Sequence, residues 1–154
     1  MRRIDEALLQ LISNAQENLM LISFAVYRVE RLTEAIEKAL QRGVVVTCFF
    51  EMDDSKVKLP SVFLTKDKYS TRMKLYTWAD LHRPRSTLNK YGALHAKAAV
   101  ADNNSLLISS ANLTEHAMSL NIEMGLSIRG GDLPQPVSRI FMDFIEHGIF
   151  SQVI

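Results

Sequence analysis

The residues with the greatest chemical potential in this sequence fall within one stretch, Leu94 to Glu123. It concentrates the polar groups that handling a phosphate requires: a histidine to attack phosphorus or move a proton, a lysine to balance anionic charge, and hydroxyl and amide groups to donate hydrogen bonds. His95 and Lys97 stand two apart in a run of small apolar residues, so on a strand both project from one face. Asp102-Asn103-Asn104-Ser105 reads as a hairpin turn, because Asn tolerates the positive φ that tight turns demand. With Asn103 and Asn104 as the loop residues, Asp102 faces Ser105, Lys97 faces Ser110 and His95 faces Asn112. Four polar side chains then share one sheet face. Asp102 has the opposite parity and takes a supporting role, holding the turn or orienting its neighbours.

Asn112-Leu113-Thr114-Glu115 carries a capping-box pattern, with Asn112 at the N-cap and Glu115 three residues on. A helix starting there would point free N–H groups and a positive dipole end at the cluster, which favours an anion. Ile122 to Ile128 alternates, placing Ile122, Met124, Leu126 and Ile128 on one face and Glu123, Gly125 and Ser127 on the other. Glu123 becomes a candidate partner for His95, since a carboxylate on one ring nitrogen fixes the tautomer and frees the other nitrogen. Taken singly, each of these residues has a structural explanation as a core histidine, an edge charge, a cap, a turn residue or a surface carboxylate. Their combination at fixed spacing is what points to a site.

The elements that must position them follow from hydrophobic period. Ile4 to Asn14 is amphipathic at helical spacing, Asn18 to Val26 reads as a buried strand, and Val29 to Gln41 returns to helical spacing with Gly43 as its stop. Val44 to Glu51 is a second strand, giving a parallel β-α-β unit with a right-handed crossover. The segment from Met52 to Ser70 has no sustained period, with a short helix near 61–66. Met73 to Trp78 is a third strand, and Leu81 to Tyr91 is a loop leading to the His95 strand, where substrate contacts often sit. Pro134 to His147 closes the chain as a helix whose apolar face is Val137, Ile140, Phe141, Phe144 and Ile145.

Composition narrows the class. With 154 residues and a formal charge of +1, the chain has the balance of an ordinary globular domain, with no disorder signature. Cys48 is the sole cysteine, within the apolar run Val44 to Phe50, so no internal disulfide forms and a reducing, cytoplasmic setting is expected. No secretory signal or membrane-spanning run is evident. Between Asp53 and Lys90 nine basic residues, Lys56, Lys58, Lys66, Lys68, Arg72, Lys74, Arg83, Arg85 and Lys90, outnumber four aspartates, a surplus suited to a polyanion. His82, His116 and His147 add no second site, and neither they nor Cys48 have metal-ligand spacing. Walker, nucleophile-elbow and dinucleotide motifs are missing.

The spacing His95-x-Lys97, four residues, Asp102, six residues, then Ser109-Ser110-Ala111-Asn112 resembles the HxK(x)4D(x)6GSxN signature of the phospholipase D superfamily. His95, Lys97, Asp102, Ser110 and Asn112 fit that pattern, and Glu123 lies where family members keep a glutamate. Ser109 replaces the usual glycine, which bears on backbone approach and strand geometry. Leu21-Ile22-Ser23-Phe24-Ala25 and Gln41 to Val46 also look like the N-terminal half of such a domain, so the resemblance covers most of the chain.

The resemblance implies an α/β fold, a mixed β-sheet flanked by helices on both faces, as a single domain over residues 1–154. It implies a metal-independent phosphodiesterase without a cofactor, acting through a phosphohistidine. Because two such motifs must meet and this chain has one, it implies a homodimer sharing one site. In that scheme one His95 attacks, the other acts as acid and base, Lys97, Asn112 and Ser110 stabilise the phosphoryl oxygens, and Glu123 orients its histidine. A compact single-motif chain resembles the superfamily's small nucleases, so DNA or RNA is the expected substrate, without stable membrane association. A phospholipase or phosphatidyl-transferase is the enzymatic alternative, and a catalytically silent nucleic-acid-binding module the non-enzymatic one. Ser110 to Gly125 also looks like phospholipase D-like modules associated with helicases and bacterial defence, implying a helicase or defence-system partner.

Overall fold

Side-chain parity along the central strands sorts the core into two layers. In the computed structural model, which describes residues 3–27, 30–51, 57–58, 69, 71–88, 90–114, 116–117 and 120–153, the elements run α1 (Ile4–Asn14), β1 (Asn18–Ser23), β2 (Val26–Tyr27), α2 (Glu30–Arg42), β3 (Val45–Phe50), β4 (Val57–Lys58), β5 (Met73–Trp78), a 3-10 turn (Asp80–His82), β6 (Ala98–Ala101), β7 (Ser105–Ser109), β8 (Leu113–Thr114), β9 (Gly125–Arg129), α3 (Pro134–Glu146) and β10 (Phe150–Gln152). Leu19, Leu21, Val46, Cys48, Leu75, Ala99 and Leu107 face α1 and α2, while Met20, Ile22, Phe49, Tyr76, Val100 and Leu106 face α3. A mixed sheet is therefore covered by helices on both faces.

Among the described residues the main sheet has the order β10-β5-β3-β1-β6-β7-β9, and a small second sheet has the order β4-β2-β8. β1, β3 and β5 are mutually parallel, as expected for strands joined by a helical crossover, whereas β6, β7 and β9 add antiparallel to the other side of β1. The α2 stop is built as its sequence dictates: Gly43 has φ 99°, and the Val44 N–H turns back to the Ala39 carbonyl at 3.1 Å. The third strand falls where its pattern places it. The expected helix near 61–66 lies outside the described residues, as do Lys56, Lys66 and Lys68 of the basic surplus.

Three expectations are corrected. The strand beginning at Asn18 does not run through to Val26: it breaks after Ser23, whose hydroxyl donates to the Ala25 carbonyl (2.8 Å) and accepts the Leu113 N–H (3.1 Å), and Val26–Tyr27 pairs in the second sheet. Residues 150–152, given no element by sequence, form β10 and pair antiparallel with β5, because Phe150 buries against Phe49 and Trp78. On α3, Val137, Phe141, Phe144 and Ile145 pack on the sheet as anticipated, but Ile140 turns outward and is half exposed.

Candidate active site

The break after β1 and the approach to β6 converge. Phe24, just past Ser23, places its ring 4.8 Å from the His95 ring, and the Lys97 ammonium lies 5.9 Å from the same phenyl centroid. His95 and Lys97 precede β6 rather than lying within it, and both still meet: Lys97 Nζ is 3.2 Å from His95 Nδ1 and donates to the His95 carbonyl at 2.8 Å. His95 is exposed. Burial pulls the Lys97 pKa below its ordinary value, against the opposing pull of the Glu123 carboxylate.

The hairpin is built one residue out of the expected register. Asp102 and Asn103 carry the positive φ angles (53° and 51°), Asn104 N–H closes on the Ala101 carbonyl at 3.0 Å, and Ala101 faces Ser105. The loop thus has three residues, not two. Lys97 consequently meets Ser109, whose N–H donates to the Lys97 carbonyl at 3.1 Å, and Ser110 is freed to face the next strand. The Ser110 N–H donates to the Met124 carbonyl (2.9 Å), the Met124 N–H donates to Ser110 Oγ (3.0 Å), and the Ser110 hydroxyl hydrogen-bonds Glu123.

Glu123 is not the carboxylate partner of His95. Its two oxygens are held by the Ser110 hydroxyl and by Asn121 Nδ2 (3.0 Å), which hold its pKa low, with burial opposing and Lys97 adding a smaller attraction. Glu123 therefore joins the cluster through Lys97 and Ser110. Asn112 is not a helix cap either. Leu113–Thr114 forms β8 beside β2, and Thr114 Oγ1 accepts the Ala117 N–H at 3.2 Å, so the helical turn starts two residues later than its capping box suggested. Asn112 Oδ1 is buried with no hydrogen-bond partner among the described residues, an arrangement that costs about 1–3 kcal/mol unless something occupies it.

Asp102 sits at the far end of β6. Its carboxylate accepts the backbone N–H groups of Gln16 (3.0 Å), Glu17 (2.9 Å) and Asn18 (3.0 Å), splicing the hairpin turn to the α1–β1 loop. Burial pushes its pKa up, but the three N–H donors together outweigh that and hold it below the ordinary value. Ser109, standing where the resemblance has glycine, is matched by Gly125 on β9, where an added Cβ would come within 3.0 Å of Ser109 Cβ and 2.8 Å of the Ile108 carbonyl.

Two further groups escaped the sequence reading. Glu51, buried at the end of β3, accepts the Leu94 N–H at 2.7 Å, one residue before His95, and pairs with the half-buried Arg83. Arg83 in turn donates to the Trp78 carbonyl from Nε (3.1 Å) and Nη2 (2.9 Å). A charged residue closing an otherwise apolar strand was the available signal for Glu51. Phe24 had none. Among the described residues no three His, Cys, Asp or Glu side chains gather into a metal-binding group, and no helix is long and apolar enough to cross a membrane.

Residues 8–145 match the family model of the cardiolipin synthase, phospholipase D-like domain. The chain belongs to this phospholipase D-like family, whose members generally cleave or transfer phosphodiesters. It is 28% identical over 146 residues to cardiolipin synthase A of Buchnera aphidicola subsp. Baizongia pistaciae, covering 94% of this chain and 28% of that protein. It is 24% identical over 156 residues to the DISARM protein DrmC of Bacillus paralicheniformis, covering all of this chain and 61% of that one. The chain thus spans about a quarter of the first of these relatives and about three fifths of the second. Its fold is similar to that of NucT from Helicobacter pylori, with a TM-score of 0.78 at 19% identity, covering 93% of this chain and 87% of that chain.

Proposed function

We propose that this protein is a metal-independent phosphodiesterase that cleaves DNA or RNA through a phosphohistidine, at a site shared across a homodimer. The observation that carries the reading is an exposed His95 paired with a half-buried Lys97, beside β7 and β9, where Ile108 and Leu126, with Met124 just before β9, are left uncovered. One imidazole cannot both attack phosphorus and protonate the departing oxygen, and uncovered apolar surface beside half a site suits a second copy. The fold likeness to NucT, which extends over 87% of that chain, supports a domain that works at this size.

In the proposed step, His95 of one protomer attacks phosphorus while the P–O bond to the leaving group breaks, and the partner's His95 gives that oxygen its proton. The partner's His95 then takes a proton from water, whose oxygen attacks the phosphohistidine and releases the first ring. Lys97, Ser110 and Asn112 of both protomers stabilise the non-bridging oxygens. In the free half-site Lys97 Nζ lies 3.2 Å from His95 Nδ1. On the attacking ring Lys97 must swing to the phosphoryl oxygens. The two histidines need opposite protonation states, so the rate is bell-shaped in pH.

A phosphatidyl-transferase or phospholipase is the second reading, favoured by the cardiolipin synthase likeness. The likeness to DrmC over the whole chain supports a defence-system setting and partner. Incubating the protein with single- and double-stranded DNA, RNA and short-chain phosphatidylcholine, each beside His95→Ala, separates these readings. Cleavage of nucleic acid that survives EDTA and vanishes in His95→Ala is expected. Turnover of the lipid alone, or activity lost to EDTA and restored by zinc or magnesium, would overturn the proposal, and binding without cleavage would mark a silent module.

A further inference from the structure

The segment between the 3-10 turn and His95 is a small built element. Arg85 and Tyr91 form an antiparallel bridge, the Ser86 N–H donates to the Lys90 carbonyl at 2.9 Å, and the Lys90 N–H returns to Ser86 Oγ at 3.1 Å. Across the bridge the Arg85 guanidinium lies 4.5 Å from the Tyr91 ring centroid, and both side chains are exposed. Side chains this exposed normally stay mobile and solvated. Here an aromatic plane and a cationic plane are held together at the surface by backbone pairing.

The base of the element is fixed to the same anchor as His95. Gly92 N–H donates to the Pro84 carbonyl at 2.8 Å, and the Gly92 carbonyl accepts Arg83 Nη1 at 3.4 Å. Gly92 is close-packed, since a Cβ there would lie 3.3 Å from Pro84 and 3.5 Å from Trp78. Arg83 pairs with Glu51, and Glu51 holds the Leu94 N–H. Tyr91 is four residues from His95, at most about 14 Å along extended chain.

We propose that Arg85 and Tyr91 form a stacking platform for a single-stranded nucleic acid, gripping an unpaired base of the strand whose phosphate is presented to His95. This rests on the nuclease reading and adds strand preference to it. A guanidinium sandwiched on one side by tyrosine offers its outer plane to a base, and its charge, with that of Lys90, draws the neighbouring phosphates. Bases within a duplex are already stacked and cannot use such a platform. A lipid headgroup would use the charge and leave the planes idle.

The test is fluorescence anisotropy of a short fluorescein-labelled oligodeoxynucleotide, single-stranded or annealed, on the full chain carrying His95→Ala to prevent turnover. Tyr91→Ala is expected to weaken single-strand binding about tenfold and duplex binding far less, with Arg85→Gln acting in the same direction. Tyr91→Phe, which keeps the plane and drops the hydroxyl, restores the affinity. Unchanged single-strand binding in Tyr91→Ala overturns the platform while leaving the nuclease reading intact. Equal losses on single strand and duplex also overturn it. A parent protein that binds no oligonucleotide but binds anionic phosphatidylglycerol vesicles through Tyr91 overturns both.

Discussion

At the scale of single residues, the polar groups of the motif divide by what they touch. Lys97 and His95 meet each other, whereas Asp102 meets only backbone N–H groups from the α1–β1 loop. Its carboxylate is held below the unfolded pKa despite burial, so its contribution is full above the unfolded value of about 3.9 and fades as pH falls through the folded value. Asp102→Asn is expected to cost about 2 kcal/mol at neutral pH, with the gap to wild type closing in acid; urea unfolding across pH measures it, and a gap independent of pH contradicts it. Glu51 is the more consequential carboxylate. Removing it in Glu51→Ala deprives the half-buried Arg83 of its carboxylate and frees the Leu94 N–H, with an expected loss of about 2–3 kcal/mol in the same unfolding measurement. That His95 and Lys97 lie together was legible from types and spacing. Their partners were not: Glu123 goes to Ser110 and Asn121, a choice made by strand register that spacing alone does not determine.

At the scale of elements, one residue of register decides the site. Asp102 takes a left-handed conformation as Asn103 does, lengthening the loop to three residues and moving Lys97 from Ser110 to Ser109. Asp tolerates that conformation almost as well as Asn, so the two loop lengths were close in energy on local grounds. The bonds from Asp102 to the α1–β1 loop, far away in sequence, favour the longer one. Elements with strong period, α1, α2, β5 and α3, stand where their patterns put them within a residue or two. β10 was invisible because three residues carry no period, and β1 ended early because Ser23 bonds the backbone beyond it. Between β7 and β9 the pair Ser109 and Gly125 leaves no space for a second side chain. Gly125→Ala is therefore expected to destabilise by about 1–3 kcal/mol and to lower activity by shifting Ser110 and Glu123, whereas Ser109→Gly, which loses the Ala111 N–H bond to Ser109 Oγ at 3.2 Å, costs about 1 kcal/mol and leaves activity nearly unchanged. Thermal unfolding with activity assays on the two variants checks this, and a harmless Gly125→Ala contradicts it.

At the scale of the molecule, the sheet and its two helical layers were implied by the family resemblance, and the uncovered edge was not. Alternation from Ile122 to Ile128 reads as one buried face, yet Ile128 alone packs beneath α3 while Met124 and Leu126 stay exposed at 81% and 60%. A period reports that one face is apolar; it does not report whether the covering surface belongs to the same chain. In the proposed homodimer that surface is a second copy, and each site needs His95 from both. Mixing wild type with His95→Ala at constant total protein, after subunit exchange, measures this most directly. A shared site predicts activity falling as the square of the wild-type fraction, to about a quarter at equal mixing, while a linear fall to about a half would contradict it.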